Sequence, residues 1–392
     1  MNSNNLPQPS PDALLHSRKL TAFIREKIEK AGGWIGFADF MESALYAPAL
    51  GYYAAGATNF GGAGDFVTAP ELSPLFAECL AVTAREVMRV APCILEVGAG
   101  SGRLAADLLR ALEGLGALPE RYEILEISAD LSARQKERLA REVPHLLERV
   151  FWRECLPERF SGLVLANEAL DAMPVSCVVW PEGGRDGVAL ERGVVWQEPE
   201  GFVWQTRPAT GRLREAALKV AANYPLPSGY MSEIGLLASD WAASWGSILD
   251  KGLMLLIDYG FPGREYYLPE RHEGTLFCHY RHHAHADPFF LPGLQDITAH
   301  VDFTSVIEAA HAAGLELLGY TNQARFLLNC GLLARFSERM ATDDPTRFQV
   351  ASAVHKLIEP HEMGELFKVM ALGKGFSAPL AGFSEGDKSH TL

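Results

Sequence analysis

The feature that most constrains this chain is an alternation of short apolar runs with helical stripes, which starts at Cys93 and continues almost to the end. "CILEV" (93–97) is followed by Leu104, Leu108 and Leu112 at i, i+4 and i+8, with Ala105 and Leu109 widening the stripe. That spacing lines one face of a helix. "YEILEI" (122–127), "RVFW" (149–152) and "GLVLAN" (162–167) read as the next strands, and Ser128 is placed to cap the helix through "ADLSARQKERLARE". "GLMLLIDYG" (252–260) is apolar throughout, as a strand buried on both faces must be. "LELLGY" and "ELFKVMAL" supply two last strands, and Asp302 is placed to cap a helix over 301–314. Such alternation closes through right-handed crossovers into a doubly wound α/β sheet. Its ligand belongs at the carboxyl ends of the strands, where strand order reverses.

Other stretches interrupt the pattern. Residues 175–208 are rich in Val, Trp and Gly and read as hairpins, so an antiparallel insertion is expected over about 175–250. Residues 17–90 carry helical material, "KLTAFIREKIEKAG" and "SPLFAECLAVTAREVMRV", around the glycine-rich "GYYAAGATNFGGAGDFVTAPE". Glu71 or Ser73 is placed to start the second helix, with Pro74 in its first position. Residues 1–16 read as a flexible leader, 91–375 as the main domain and 376–392 as a loose tail.

Charge and composition narrow the function. The net charge of -14 opposes nucleic-acid binding through general electrostatics. The aromatics of 175–208 have few lysines or arginines between them, so they read as core rather than as base-stacking platforms. The six cysteines never form a CxxC pair, which fits reduced thiols. The opening "MNSNNLPQPSPDALLHSRKL" resembles neither a secretory signal nor a mitochondrial transit peptide. No apolar run approaches the ~20 residues that span a bilayer. A cytoplasmic protein without stable membrane insertion is expected, as a monomer or homodimer.

The turn after the first strand reads Gly98-Ala99-Gly100-Ser101-Gly102-Arg103. A P-loop would end in Gly-Lys-Ser/Thr, and a dinucleotide fingerprint needs glycine where Arg103 stands. GxGxG, with Glu96 two positions before the first glycine, resembles the first motif of class I S-adenosylmethionine (SAM)-dependent methyltransferases. The glycines let backbone approach a ligand, and Glu96 is placed to attract the ammonium of its methionine part. Glu126, at the end of the second strand beside Ile127, is placed to accept both ribose hydroxyls.

The match extends well beyond the turn. "GDFVTAPE" (64–71), "LEVGAGSGRL", "SADLSARQ", "NEALDAMPV" (167–175), "LIDYGF" (256–261), "GTLFCHYRHHAHADPFFLPGLQDITAHVDF" (274–303) and "MGELFKVM" (363–370) occur in a single order. Together they resemble the MidA family of SAM-dependent methyltransferases, over residues 17 to about 375. The resemblance implies a Rossmann-like class I methyltransferase with a seven-stranded, mostly parallel sheet, an N-terminal helical segment and a β-rich insertion. It implies SAM as cofactor and, from the mitochondrial member, methylation of an arginine on a respiratory NADH dehydrogenase subunit in complex I assembly. A small-molecule methyltransferase and a non-catalytic SAM-binding assembly factor or chaperone stand as alternatives.

Holding a guanidinium for in-line methyl transfer calls for carboxylates, which can pair with it bidentately. Glu168 and Asp171 of "NEALDAMPV" are the candidates, with Asn167 setting the loop and Asp171 equally suited to capping the next turn. Asp258, at a strand's carboxyl end, is expected to face the same pocket or else to bind backbone amides in the loop. In "GDFVTAPE", Gly64 and Pro70 would shape a loop, and Asp65, Thr68 and Glu71 would close over the cofactor. His279, His282, His283 and His285 lack a suitably placed acid, so no metal is expected and their segment reads as a long surface loop.

Overall fold

A computed structural model describes residues 6–55, 68–181, 188–341 and 347–392. The chain enters through α1 (Pro11–Lys30), whose Ser10 cap accepts from the Ala13 amide and which buries Leu20, Ile24 and Ile28 along one stripe. A two-residue strand, β1 (Ile35–Gly36), and α2 (Phe37–Tyr46) follow. The flexible leader expected over 1–16 therefore gives way to helix at Pro11, and Leu6 is already buried.

After α3 (Ala69–Leu72), α4 (Pro74–Met88) starts as the sequence suggests, with Ser73 accepting from the Leu75 amide and Pro74 in the first turn. The central sheet is then laid down by β2 (Cys93–Val97), β3 (Arg121–Leu125), β4 (Val150–Arg153) and β5 (Phe160–Asn167). Two helices alternate with them, α5 (Arg103–Gly114) and α6 (Ala129–Glu142).

A second, antiparallel sheet interrupts this winding: β6 (Ser176–Trp180), β7 (Leu190–Gln197), β8 (Gly201–Pro208) and, beyond α7 (Gly211–Asn223), β9 (Tyr230–Ile234). The insertion is shorter than the expected 175–250. Helix α8 (Leu236–Ile248) buries Ala242 and Trp245 against the central sheet and is its crossover into β10 (Leu249–Phe261). Residues 253–257 of β10 are wholly buried, and each such aliphatic side chain contributes about 1.5–3 kcal/mol.

Beyond a short α9 (Gly263–Tyr266), the segment expected as a long surface loop is a small three-stranded sheet of β11 (Phe277–Tyr280), β12 (His283–His285) and β13 (Asp296–Thr298). The chain closes with β14 (Val301–Asp302), α10 (Phe303–Ala312) capped by Asp302, β15 (Glu316–Asn322), three helices between 323 and 358, and β16 (Phe367–Lys374). The segment expected as a loose tail instead buries Phe376, Leu380 and Phe383 in the core.

The central sheet runs β15-β16-β10-β5-β2-β3-β4, with β14 added beside β10. All its pairings are parallel except those of β16, which lies antiparallel between β10 and β15. That is the expected seven-stranded, mostly parallel sheet. Strand order reverses between β2 and β5, so a crevice opens beyond Val97 and Asn167.

The N-terminal segment does not form a unit of its own. Helices α1 and α2 share one core with β6, β7, β11 and β13, through Ile24, Phe40, Cys177, Val194, Cys278 and Ile297. Helices α3 and α4 pack on the central sheet. A second body is thus assembled from three separated stretches of chain, and it abuts the crevice.

Candidate active site

The crevice is a cavity of about 490 Å³, within the range of small-ligand sites. Its lining includes Glu96, Gly98, Ala99, Gly100, Glu126 and Ile127 from the β2 and β3 ends, and Asn167, Glu168 and Asp171 from the β5 end. Thr68, Pro70 and Glu71 line it from α3. Gly64 and Asp65 lie outside the described residues.

The glycine turn is built for close approach. Gly98 and Gly100 have φ of 67° and 52°, a region costly for side-chain-bearing residues, and a Cβ on Gly98 would meet no atom within 4 Å. Gly98 therefore faces open cavity. Gly102 does not line it: with φ 79° it caps α5, and a Cβ there would lie 3.3 Å from Gln135. Its glycine serves helix packing rather than the ligand space.

Glu96 is 2% exposed and accepts from the Tyr122 hydroxyl at 2.7 Å. Burial raises its pKa to about 7, against the opposing effect of that hydrogen bond. Glu126 accepts from the Ser128 amide at 2.9 Å, from Gln135 Nε2 at 3.0 Å and from the Ile127 amide, which leaves lone-pair capacity on the carboxylate for a ligand. Burial raises its pKa too.

Gln135 escapes the sequence reading. Its Nε2 also donates to the Gly100 carbonyl at 3.0 Å, and its Oε1 accepts from Trp152 Nε1 at 2.9 Å. One signal existed: Leu131, Gln135 and Leu139 form the buried stripe of α6, and the middle member is polar. A buried amide in such a stripe has to be hydrogen-bonded.

At the β5 end, Glu168 has φ 51°, a left-handed conformation that concentrates at functional sites. Its amide donates to the Ile257 carbonyl at 2.8 Å, and its Oε1 accepts from Asn167 Nδ2 at 3.1 Å and from the Ala69 amide at 3.3 Å. Burial and the neighbouring Asp171 raise its pKa to about 8. Asp171 is buried and accepts from Tyr259, and desolvation lifts its pKa to about 6. The amide oxygen of Asn167 is buried without a hydrogen-bond partner among the described residues.

Asp258 does not face the cavity. It is fully buried beneath the loop, and its Oδ2 accepts from the amides of Ala169, Leu170 and Asp171 at 3.1, 2.8 and 3.3 Å. Its Oδ1 accepts from the Tyr259 amide at 3.0 Å. It is the internal anchor of the "NEALDA" loop, the second of the roles its position allowed.

The cavity is electrostatically one-sided. Its lining carries the carboxylates of Glu42, Glu71, Glu96, Glu126, Glu168 and Asp171, and the Arg103 guanidinium on it is engaged by Asp107 at 2.5 Å. A dinucleotide pyrophosphate would meet these carboxylates without a free counter-charge among the described residues. A cationic ligand fits: SAM brings a sulfonium and an ammonium. The open space above Gly98, the lone pairs on Glu126 and the unmet Asn167 oxygen form a donor set suited to it.

Three residues reach the cavity from the second body, Glu42, Tyr46 and Tyr53. The histidine-bearing sheet contributes no wall to it, and no group of three His, Cys, Asp or Glu among the described residues is arranged to hold a metal ion. Nor is any helix among them long and apolar enough to cross a membrane.

Comparison with known proteins agrees with this chemistry. Residues 75–321 match a family described as S-adenosyl-L-methionine-dependent methyltransferases. The mitochondrial "Protein arginine methyltransferase NDUFAF7" of Danio rerio is 29% identical over 91% of this chain and 90% of its own. The Mus musculus protein of that name is 30% identical, with coverages of 91% and 85%. A crystal structure from Burkholderia thailandensis, bound to S-adenosyl-homocysteine, superposes with a TM-score of 0.93 at 47% identity, covering 99% of this chain and all of that one.

Proposed function

The chain belongs to this family of S-adenosyl-L-methionine-dependent methyltransferases, and we propose that its acceptor is an arginine of a protein, with a respiratory NADH dehydrogenase subunit as the candidate substrate. The observation that carries the reading is the cavity's excess of carboxylates, which suits two cationic reactants in one space. The relatives named as protein arginine methyltransferases support it.

When bound, the donor supplies an electrophilic methyl carbon on sulfur. Glu96 would hold its ammonium and Glu126 its ribose hydroxyls, with Gly98, Ala99 and Gly100 bringing backbone up to it. Ile127, 64% exposed, would cover a face of the base. Thr68, Pro70 and Glu71 would close the cavity from α3. Glu168 and Asp171 would take the acceptor guanidinium, with Asn167 orienting Glu168 through their hydrogen bond.

The raised pKa values of the two acids suit them to the proton as well as the charge. As a guanidinium nitrogen bonds to the methyl carbon and the carbon–sulfur bond breaks, that nitrogen must shed one proton. The ionised carboxylate of Glu168 or Asp171 accepts it. Most of the rate would come from alignment, worth up to roughly 7–11 kcal/mol in well-oriented systems.

The acceptor is tested by comparing methylarginine-containing peptides across the proteomes of cells with and without this gene. A site methylated only when the gene is present supports the reading. Unchanged methylarginine in the deletion strain overturns it.

A further inference from the structure

Two aromatic rings enter the cavity from outside the doubly wound sheet. Tyr46 stands on the last turn of α2 and donates through its hydroxyl to the Ala172 carbonyl at 3.0 Å, which fixes it at the acceptor loop. Its ring stacks on that of Tyr53, with centroids 5.5 Å apart and planes inclined by 23°. Tyr53 donates in turn to Asp296 Oδ1 at 2.9 Å, a fully buried carboxylate also held by the Ile297 amide. Both hydroxyls are taken up by protein acceptors, and both rings line the cavity.

A cavity walled by carboxylates alone would accept a lysine ammonium as readily as a guanidinium. The two cations differ in shape and hydration: the ammonium is compact and strongly hydrated, while the guanidinium is flat, weakly hydrated and stacks on aromatic faces. A flat wall held rigid from both ends discriminates between them without ordering any side chain on binding. We propose that Tyr46, backed by Tyr53, is this wall and selects a guanidinium over an ammonium at the Glu168–Asp171 pair. The proposal rests on the arginine reading above. It gives the second body a task at the site, since that body supplies both tyrosines and is tied to the acceptor loop by Tyr46 and by the Ala299 amide, which donates to the Asp171 carbonyl at 3.0 Å.

Three probes test it: 5′-deoxyadenosine carrying a guanidinoalkyl arm, the isosteric urea arm, or a primary-amine arm, each measured by calorimetry beside S-adenosyl-homocysteine. Wild type should prefer the guanidino probe to both others. Tyr46→Phe keeps the ring and should bind it within about threefold of wild type, whereas Tyr46→Leu should lose roughly tenfold on that probe alone, with S-adenosyl-homocysteine affinity unchanged. A Tyr46→Leu protein that keeps the full guanidino preference, or loses S-adenosyl-homocysteine equally, overturns the aromatic wall and leaves the arginine reading standing. A wild-type protein that binds the guanidino and amine probes equally overturns the wall as well, whereas one that prefers the amine probe overturns the arginine reading itself.

Discussion

Gln135 donates to the Glu126 carboxylate across 3.0 Å, and through that bond helix α6 holds the residue that closes the β3 end of the cavity. The same amide nitrogen reaches the Gly100 carbonyl, also at 3.0 Å, so one side chain sets the distance between the glycine turn and the acid. Trp152 fixes the amide's orientation from β4. Glu126 cannot shift without breaking a buried hydrogen bond, nor Gly100 without breaking a partly buried one.

Replacing Gln135 by Ala should therefore weaken S-adenosyl-homocysteine binding by about tenfold or more, since hydrogen bonds to charged groups contribute roughly 1.5–3 kcal/mol. Calorimetry on the purified variant checks this. Unchanged affinity in a folded variant would show that the turn and Glu126 are set by backbone alone.

Glu96 predicts a proton-linked binding step. Its pKa of about 7 reflects burial, and a ligand ammonium beside it favours the ionised form. Donor binding should then release a proton and tighten as pH rises from about 5 to 7, by up to about tenfold per unit at the acid end. Calorimetry in buffers of different ionisation enthalpy reads the release directly. Glu96→Gln should abolish it.

Glu168 has the opposite consequence for the ligand-free fold. Its folded pKa of about 8 lies above the ordinary 4.5, so between those values the folded chain binds a proton that the unfolded chain has lost. Stability from this group is complete below about pH 4.5 and declines as pH rises towards 8. Glu168→Gln should flatten the decline, sparing roughly 1–3 °C of melting temperature between pH 5 and 8. Thermal melts of both proteins across that range decide it.

Asp258 should matter more for the fold than for binding. Asp258→Ala strands the buried amides of Leu170 and Asp171, where each unmet donor costs about 1–3 kcal/mol, and frees the part-buried amides of Ala169 and Tyr259. With partial relaxation, a loss of about 3–4 kcal/mol is expected by urea denaturation. A loss below about 1 kcal/mol would mean that the loop finds other partners.

What could be read from the residues was local. Strand β2, the glycine turn, the Ser128 and Asp302 caps and Glu126 each follow from short-range periodicity or spacing, and the structure has them where that pattern put them. The contacts that finish the site join distant stretches of chain. Asp258 meets an amide 87 residues away, and Tyr46 a carbonyl 126 residues away. No periodicity encodes such pairings. The second body stayed hidden for the same reason, because Ile24, Cys177 and Cys278 share a core that no single segment reveals. The tail read as loose because Gly375, Pro379, Gly382 and Gly386 interrupt it, although Phe376, Leu380 and Phe383 keep a helix-face spacing and are buried.

Methyl transfer by the purified protein tests the central claim most directly. Tritium-labelled SAM is incubated with extract from cells lacking the gene, with wild-type protein or with Glu168→Gln, and the labelled residue is identified by mass spectrometry. The account predicts label on arginine nitrogen of a discrete protein with wild type, reduced at least tenfold with Glu168→Gln. Label found only on small molecules or on residues other than arginine, or undiminished with Glu168→Gln, would contradict it.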